Sequence, residues 1–328
     1  MSIPYDLEED GVRAFIRGTG AKRVALQLPA GLRPMLRTIR ETVEDAGAEP
    51  VFLGDPCYGA CDPGDERARM AGCDALVHYG HSDMGLKTSV PVMYVEARMT
   101  IDPVDHVRKS LDLISFRRVG LISSVQHAWS LERVAAVLVE NGMQPVISAP
   151  GPRTRHPGQV LGCEFFCARS IADRVDGFLY IGTGAFHPLG CLLAAGKSTV
   201  SINPVSGLFT DFSADDLLRR RAAAVSRASF CDSFGVVAST KPGQMRLGLA
   251  EKIAEELRNA GRDAHVISVD RVTPEELDDF GLEAFVCTAC PRIALDDSER
   301  FRGPVLTPFE CRVMLGSEDF GRYRMDEL

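Results

Sequence analysis

The stretch RVALQLPAGLRPMLRTIRETVEDAGAEPVFLG, residues 23–54, shows the unit from which this chain is built. Its first apolar run, RVALQLP, predicts a buried strand, and Leu36, Ile39 and Val43 then recur at the spacing of one helix face. Gly47 predicts the end of that helix, because glycine adopts the left-handed cap conformation at little cost. A second apolar run, EPVFLG, follows at once. The stretch therefore predicts a strand, a helix and a second, parallel strand.

The same order of patterns recurs twice further along the chain. The later copies begin with the strands RVGLISS and FGVVAST, have helices ended by Gly142 and Gly261, and continue with QPVISA and AHVISV. Third strands (ALVHYG, GFLYIG, AFVCTA) and fourth strands (VPVMYV, STVSIN, PVLTP) complete the three units. Strands that are apolar throughout are typical of parallel sheets covered on both faces. We predict an α/β fold of three similar domains, an internal triplication with a small helix-flanked parallel sheet in each, over residues 1–102, 103–210 and 211–328.

The composition and charge of the chain argue against nucleic-acid-binding, membrane-spanning and secreted proteins. The chain has 328 residues and a formal net charge of −8, which argues against a general nucleic-acid binder. Its apolar runs have the length of strands, so no membrane span is expected. The acidic N-terminal stretch lacks the apolar core of a signal peptide, and a cytoplasmic location is expected. The basic run at residues 219–221 follows DDLL on a predicted helix and is interpreted as a solvated face.

The ten cysteines are the most informative residues for chemistry, because cytosolic disulfides are rare. Each unit contains one close pair: Cys57 with Cys61, Cys163 with Cys167, and Cys287 with Cys290. The pairs follow strands, near the edge of a parallel sheet where ligands gather. The other four are interpreted as packing residues: Cys73, Cys191, Cys231 and Cys311. The spacing alone is compatible with a zinc site, with an iron–sulfur cluster shared by the three units, and with buried thiols.

Six motifs together resemble the diphthamide synthase family of archaeal type. They occur in the order DPCYGACD (55–62), HYGHS (78–82), PGQVLGC (157–163), TGAFHPLG (183–190), STKPGQMR (239–246) and TACPRIALDD (288–297). The resemblance begins at QLPAGLRP (27–34) and covers nearly the whole chain. Each motif is weak alone, but six in order on a repeated α/β frame are specific.

The resemblance implies a [4Fe–4S] cluster at the centre of the molecule, with one cysteine ligand from each domain. Matching YGAC, LGC and TACPR assigns these ligands to Cys61, Cys163 and Cys290. The other cysteine of each pair becomes a neighbour: Cys57, Cys167 and Cys287. The implied reaction transfers the 3-amino-3-carboxypropyl group of S-adenosylmethionine to a histidine ring carbon of translation elongation factor 2. It is the first step of diphthamide biosynthesis and releases methylthioadenosine. A homodimer and an external electron donor are also implied, and no residue is assigned a catalytic role.

Five polar residues are candidates to bind S-adenosylmethionine: Lys241, Gln244, Arg246, His78 and His81. The first three follow a strand and open a helix, a place where anions bind to backbone N–H groups. The two histidines end a third strand and, with His187, are also candidates to lie beside the cluster, since imidazole binds iron. The simpler interpretations are solvated polar residues and hydrogen-bonded histidines.

Two alternatives remain open from the sequence. One is a non-catalytic iron–sulfur protein that serves as an electron-transfer or scaffold subunit. The other is a cluster enzyme similar to quinolinate synthase, which has the same plan of three α/β units. The presence of all three cysteine motifs favours a self-sufficient transferase, and YGAC and TACPR speak against quinolinate synthase.

Overall fold

The structure is a computed structural model that describes residues 5–328. The chain forms two compact units. The first contains residues 5–160, 166–184 and 200–210, and the second contains residues 161–165, 185–199 and 211–328. Residues 1–4 of the predicted first domain lie outside the described part. The boundaries near residues 102 and 210 stay a prediction.

The N-terminal part of the first unit contains a parallel four-stranded sheet. Its elements are β1 (Tyr5–Asp6), α1 (Glu9–Thr19), β2 (Arg23–Gln27), α2 (Leu36–Asp45), β3 (Glu49–Leu53), α3 (Asp65–Met70), β4 (Ala75–Tyr79), β5 (Val92–Val95) and β6 (Arg98–Met99), with a 3-10 helix at Ala30–Met35. The strand order is β3-β2-β4-β5, and β1 pairs antiparallel with β6. The buried residues Ile39 and Val43 of α2 pack with Val24 and Leu26 of β2 in one core, as the helical spacing predicts, whereas Leu36 is exposed.

A second sheet, of five strands, follows in the chain. Its elements are α4 (Val104–Lys109), β7 (Arg118–Ser123), α5 (Val125–Ala128), α6 (Leu131–Glu140), β8 (Gln144–Val146), α7 (Phe166–Arg169), β9 (Gly177–Ile181), α8 (Phe186–Ala195), β10 (Thr199–Ile202) and β11 (Phe209–Asp211), with a 3-10 helix at Leu111–Leu113. The order is β11-β10-β9-β7-β8, and β7 is parallel to both β8 and β9. The sheet belongs to the first unit apart from residues 199 and 211, while α8 belongs to the second unit.

The second unit contains the third sheet. Its elements are α9 (Asp215–Ala228), β12 (Ser233–Ser239), α10 (Leu247–Asn259), β13 (Asp263–Val269), α11 (Pro274–Leu277), β14 (Ala284–Cys287), α12 (Pro291–Leu295), β15 (Val305–Leu306) and α13 (Pro308–Met314), with 3-10 helices at Asp278–Phe280, Ser298–Arg300 and Phe320–Arg322. The four strands are parallel in the order β13-β12-β14-β15. Among the described residues no helix is long and apolar enough to cross a membrane.

The three sheets share one strand order. In each, the first strand lies between the second and the third, and the fourth lies outside the third. Gly47, Gly142 and Gly261 each follow the helix after the first strand and have a positive φ of 77–88°. A side chain is strained in that conformation, so glycine lets the chain turn directly into the second strand. The α/β class and the predicted strands are confirmed.

The interpretation of the basic run at residues 219–221 is wrong for Arg221. Its side chain is 2% exposed, and its guanidinium donates to both carboxylate oxygens of Glu310, at 2.8 and 2.7 Å. It also donates to the carbonyl oxygens of Ala294 and Val305. Arg221 therefore joins α9 to α12, β15 and α13, while its neighbour Arg220 is exposed.

We expect Arg221→Ala to lower the free energy of unfolding by about 3–5 kcal/mol, because the buried carboxylate of Glu310 would lose its cationic partner and keep only the N–H of Thr307 and the hydroxyl of Tyr323. Denaturant unfolding monitored by circular dichroism measures the change. The control Arg220→Ala should stay within about 0.5 kcal/mol of the unsubstituted chain. Equal effects of the two substitutions would show that the buried pair adds no stability.

Candidate metal centre and neighbouring residues

The side chain of Gln27 organises the loop that contains the first cysteine pair. Gln27 ends β2 and lies in register with His78 of the adjacent strand β4. Its amide N–H donates to the carbonyl oxygen of Asp62 at 2.9 Å, and its amide oxygen accepts the backbone N–H of Gly64 at 2.8 Å. These two bonds fix which end of the amide is oxygen. The same oxygen lies 2.7 Å from Nδ1 of His78.

This orientation determines the proton positions on two histidines. Because the Gln27 oxygen only accepts, Nδ1 of His78 carries a proton, and its Nε2 is a lone pair when the ring is neutral. That Nε2 lies 2.9 Å from Nδ1 of His81, which then donates. Burial lowers the pKa of His78 well below its usual range and lowers the pKa of His81 to about 4, the latter despite a hydrogen bond to the backbone of Tyr79. Both rings are neutral at pH 7.

Cys57 and Cys61 lie in the loop between β3 and α3, and both are half-buried. The Cys57 sulfur is 4.0 Å from Nε2 of His78. Burial, reinforced by the charge of Asp62, raises the pKa of the Cys57 thiol to about 12. Gly59 between them has a φ of +154°, and a Cβ placed there would lie 3.4 Å from the Cys61 sulfur and 3.9 Å from Nε2 of His81. Glycine thus leaves open the space that these two atoms border.

Cys163 is presented on a tight turn of the second unit. Leu161 and Glu164 form an isolated antiparallel bridge on either side of it. A Cβ at Gly162 would collide with the ring of Phe186, so the LGC motif needs glycine for close approach. The other cysteine of this pair, Cys167, has a different environment. It belongs to the first unit, is fully buried in α7, and donates its thiol proton to the carbonyl oxygen of Ala149 at 3.4 Å.

Cys290 caps the N-terminus of α12, directly after β14, and is half-buried. Its neighbour Cys287 ends β14, is 1% exposed, and has a thiol pKa raised to about 12 by burial. The guanidinium of Arg292, two residues after Cys290, lies 4.9 Å above the ring of Phe186. Since Phe186 also covers the turn of Cys163, one aromatic ring connects the two cysteine segments of the second unit.

Arg246 makes the densest set of polar contacts near these segments. Its guanidinium donates to the carbonyl oxygens of Thr288 and Ala289, at 2.7 and 3.3 Å, just before Cys290. It also binds the carboxylate of Asp326 and the carbonyl oxygen of Glu327. The predicted cosubstrate residue therefore fastens the C-terminal residues to the loop at Cys290.

The same C-terminal residues reach the turn of Cys163. The N–H of Leu328 donates to the carbonyl oxygen of Cys163 at 2.9 Å. The carboxylate of Glu327 accepts the N–H of Phe165 at 2.8 Å. We call residues 325–328 the C-terminal strap. Together with Arg246, the strap connects the Cys163 and Cys290 segments.

The remaining candidates also lie in the second unit. Lys241 is 3% exposed and its ammonium is 2.9 Å from a carboxylate oxygen of Asp270, while Gln244 is 5% exposed. His187 in α8 contacts the edge of Phe186, and burial lowers its pKa to about 4. Lys241 and Gln244 are thus buried, unlike solvated surface residues.

The structure therefore groups the sequence candidates by unit. His78 and His81 gather with Cys57 in the first unit, and the Cys61 loop borders them. Cys163, Cys290 and Arg246 gather in the second. The sequence did not identify Gln27 or the strap as part of a site. Gln27 lies in the QLPAGLRP motif, and the strap is contacted by Arg246 of the STKPGQMR motif.

Comparison with known proteins identifies the family. A family model described as "Putative diphthamide synthesis protein" matches residues 28–324. This chain belongs to that family. The resemblance stated from the six motifs is confirmed.

Named relatives and a crystal structure from this family are similar to this chain over nearly its whole length. The 2-(3-amino-3-carboxypropyl)histidine synthase of Pyrococcus horikoshii is 35% identical over 99% of this chain and 94% of its own length. Subunit 1 of the Gallus gallus synthase is 32% identical over 95% of this chain and 77% of its own length. The crystal structure of Pyrococcus horikoshii Dph2 with a 4Fe-4S cluster superimposes with a TM-score of 0.92 at 35% identity, covering 98% of this chain and 94% of that one.

We expect Arg246→Met to speed amide hydrogen exchange at Phe165 and Leu328 by about 10–100-fold. The substitution removes charge-assisted hydrogen bonds that are worth about 1.5–3 kcal/mol each, and tenfold in exchange corresponds to about 1.4 kcal/mol. Mass spectrometry of peptides spanning residues 163–166 and 325–328 measures the rates. Arg227→Met, an exposed position on α9, is the matched control. Unchanged protection in Arg246→Met would contradict the strap.

The buried histidines make stability depend on pH. A folded-state pKa below the unfolded value of about 6.5 means that stability is complete above pH 6.5 and is lost as pH falls towards 4. We expect His81→Gln to reduce the slope of unfolding free energy against pH in this window by up to about 1.4 kcal/mol per pH unit. Urea unfolding between pH 4 and 7 tests it, with exposed His265→Gln as control. An identical slope in His81→Gln would refute the neutral assignment.

Proposed function

We propose that this chain is a 2-(3-amino-3-carboxypropyl)histidine synthase that catalyses the first step of diphthamide biosynthesis. It transfers the 3-amino-3-carboxypropyl group of S-adenosylmethionine to a ring carbon of a histidine in translation elongation factor 2. A [4Fe–4S] cluster bound by Cys61, Cys163 and Cys290 is the cofactor, and methylthioadenosine is the product. The observation that carries the proposal is full-length similarity to a synthase whose structure contains a 4Fe-4S cluster.

The chemistry of the thiols supports this ligand set. Cys61, Cys163 and Cys290 are half-buried and lie in a loop, on a turn and at a helix start, where a sulfur can reach a ligand. Cys167 and Cys287 are almost fully buried and donate to carbonyl oxygens instead. Iron–sulfur clusters bind thiolates, and burial without a metal favours the neutral thiol. The donor set therefore fits three cluster ligands with the fourth iron left open.

Bond changes in the proposed reaction set the task of the protein. One ring C–H bond and one sulfonium C–S bond are lost, one C–C bond is formed, and methylthioadenosine and a proton leave. A bound cluster would supply the single electron that starts such a radical transfer and would take it back when the ring proton leaves, because the bond changes need no net electron. The choice of C–S bond depends on which carbon of the sulfonium is presented, so the protein's contribution is orientation.

Arg246 contributes to orientation as a positioning residue. Its guanidinium N–H groups donate to the backbone just before Cys290 and to the strap, so it holds the segment that contains the proposed ligand Cys290 in place. Lys241 and Gln244 remain the proposed residues for S-adenosylmethionine, whereas His78 and His81 gather with Cys57 and are not assigned to it here. A homodimer, an external electron donor and a cytoplasmic location complete the proposal.

The test is the adenosine product of anaerobic, reduced protein given S-adenosylmethionine. We expect methylthioadenosine from the unsubstituted chain. Cys61→Ala, Cys163→Ala and Cys290→Ala should each lose it together with iron, because three thiolates hold the cluster. Cys167→Ala, which removes the buried member of a pair, is the control that should keep both.

Two outcomes would replace the proposal. Release of 5′-deoxyadenosine would indicate cleavage of the other C–S bond and exclude this transfer. No cleavage by protein with an intact, reducible cluster would favour the electron-transfer or scaffold alternative. Neither product is expected from a quinolinate-synthase-like enzyme.

A further inference from the structure

Three metal-binding side chains converge in the first unit without belonging to the proposed cluster. The Cys57 sulfur, one nitrogen of His78 and one nitrogen of His81 all lie within 4.8 Å of one another. His78 is fully buried, and the other two side chains are half-buried. We propose that Cys57, His78 and His81 form a mononuclear site for a divalent transition metal of the zinc class.

The backbone is bent so that both histidines serve this point. Residues three apart on a continuous strand face opposite sides of the sheet. Gly80, between the histidines, has a φ of +88° and ends the strand, which turns His81 back towards His78. A Cβ at this position would lie 2.9 Å from Pro29, so the turn also needs glycine for space. The HYGH segment is therefore shaped to bring two imidazoles together.

The outer contacts of His78 are those of a metal ligand. Gln27 accepts the proton of Nδ1 and leaves Nε2 as a lone pair directed at the convergence point. Fixing a ligand's tautomer through its second nitrogen is the usual arrangement around bound metals. Gln27 is itself held by the backbone at Asp62 and Gly64, in the loop that follows Cys57. Burial keeps both imidazoles neutral, the form that ligates.

Two of the three donor separations are close to those of a zinc site, and the third, from the Cys57 sulfur to a nitrogen of His81, is at most 4.8 Å. Around a tetrahedral zinc ion, ligand nitrogens lie about 3.3 Å apart and a sulfur lies about 3.6 Å from a nitrogen. The present separations are 2.9 Å between the imidazole nitrogens and 4.0 Å from the Cys57 sulfur to His78. One thiolate and two imidazoles suit zinc, and the ion would stabilise the thiolate that burial alone disfavours. Three protein ligands leave the fourth position open.

The experiment uses the full chain, purified without oxygen with its cluster, and one equivalent of Zn²⁺. X-ray absorption at the zinc edge reports the ligands of zinc alone, in the presence of iron. We expect zinc retained after desalting, with one sulfur at about 2.3 Å and two imidazole nitrogens at about 2.0–2.1 Å. Iron content should be unchanged by zinc.

Substitutions assign the ligands. Cys57→Ser should remove the sulfur from the zinc shell and weaken zinc binding by more than the roughly 10–100-fold that loss of an outer contact costs. His81→Gln should remove one imidazole. Cys231→Ser and His265→Gln, outside the cluster of ligands, should leave zinc binding unchanged. The spectrum of the unsubstituted chain decides the matter even if a variant fails to fold.

Three outcomes would overturn the site. A shell of three or more sulfurs with loss of iron would place zinc on the proposed cluster cysteines. A shell of oxygen and nitrogen only, unchanged in Cys57→Ser, would indicate surface binding. Zinc lost on desalting would show no site. None of these results depends on methylthioadenosine formation, so the proposed function stands or falls separately.

Discussion

The register between the central strand and the third strand of a parallel sheet is the constraint on which the candidate site depends. Parallel neighbours end at the same edge, so residues near their carboxyl ends lie side by side. In the first sheet this places Gln27 against His78, and in the third it places Val237 against Cys287. Loops that leave this edge then contain Cys61 and Cys290. A change of one residue in either register would turn these side chains to the opposite face.

Through buried hydrogen bonds, this register determines where the protons lie on the histidines of the site. Because a buried amide must satisfy both its ends, Gln27 has one orientation, and the proton positions on His78 follow from it. The same orientation serves both states of the site: without metal, His81 donates to His78, and with metal both nitrogens face the ion. A buried polar pair is therefore better described by the direction of its protons than by its distance alone.

Sequence patterns predicted the strands, the helices and the glycine turns, because each depends on residues within about twenty positions. They did not predict the partner of Arg221. Its carboxylate partner, Glu310, lies 89 residues away, and a run of arginines has the composition of a solvated face. Likewise, the motif of Arg246 predicts that this residue binds an anionic ligand, but its guanidinium instead binds the carboxylate of Asp326, 80 residues later in the chain. Local pattern reveals periodicity and caps, whereas partners of buried charges depend on tertiary contacts.

The C-terminal strap also has a consequence for biogenesis. The bonds from Glu327 and Leu328 to the turn at Cys163 span more than 160 residues of chain. During synthesis, the turn is therefore made more than 160 residues before the groups that bond to it. The Cys163 turn therefore folds without these bonds at first, and its hydrogen bonding is completed only after the strands and helices of the third sheet have been made.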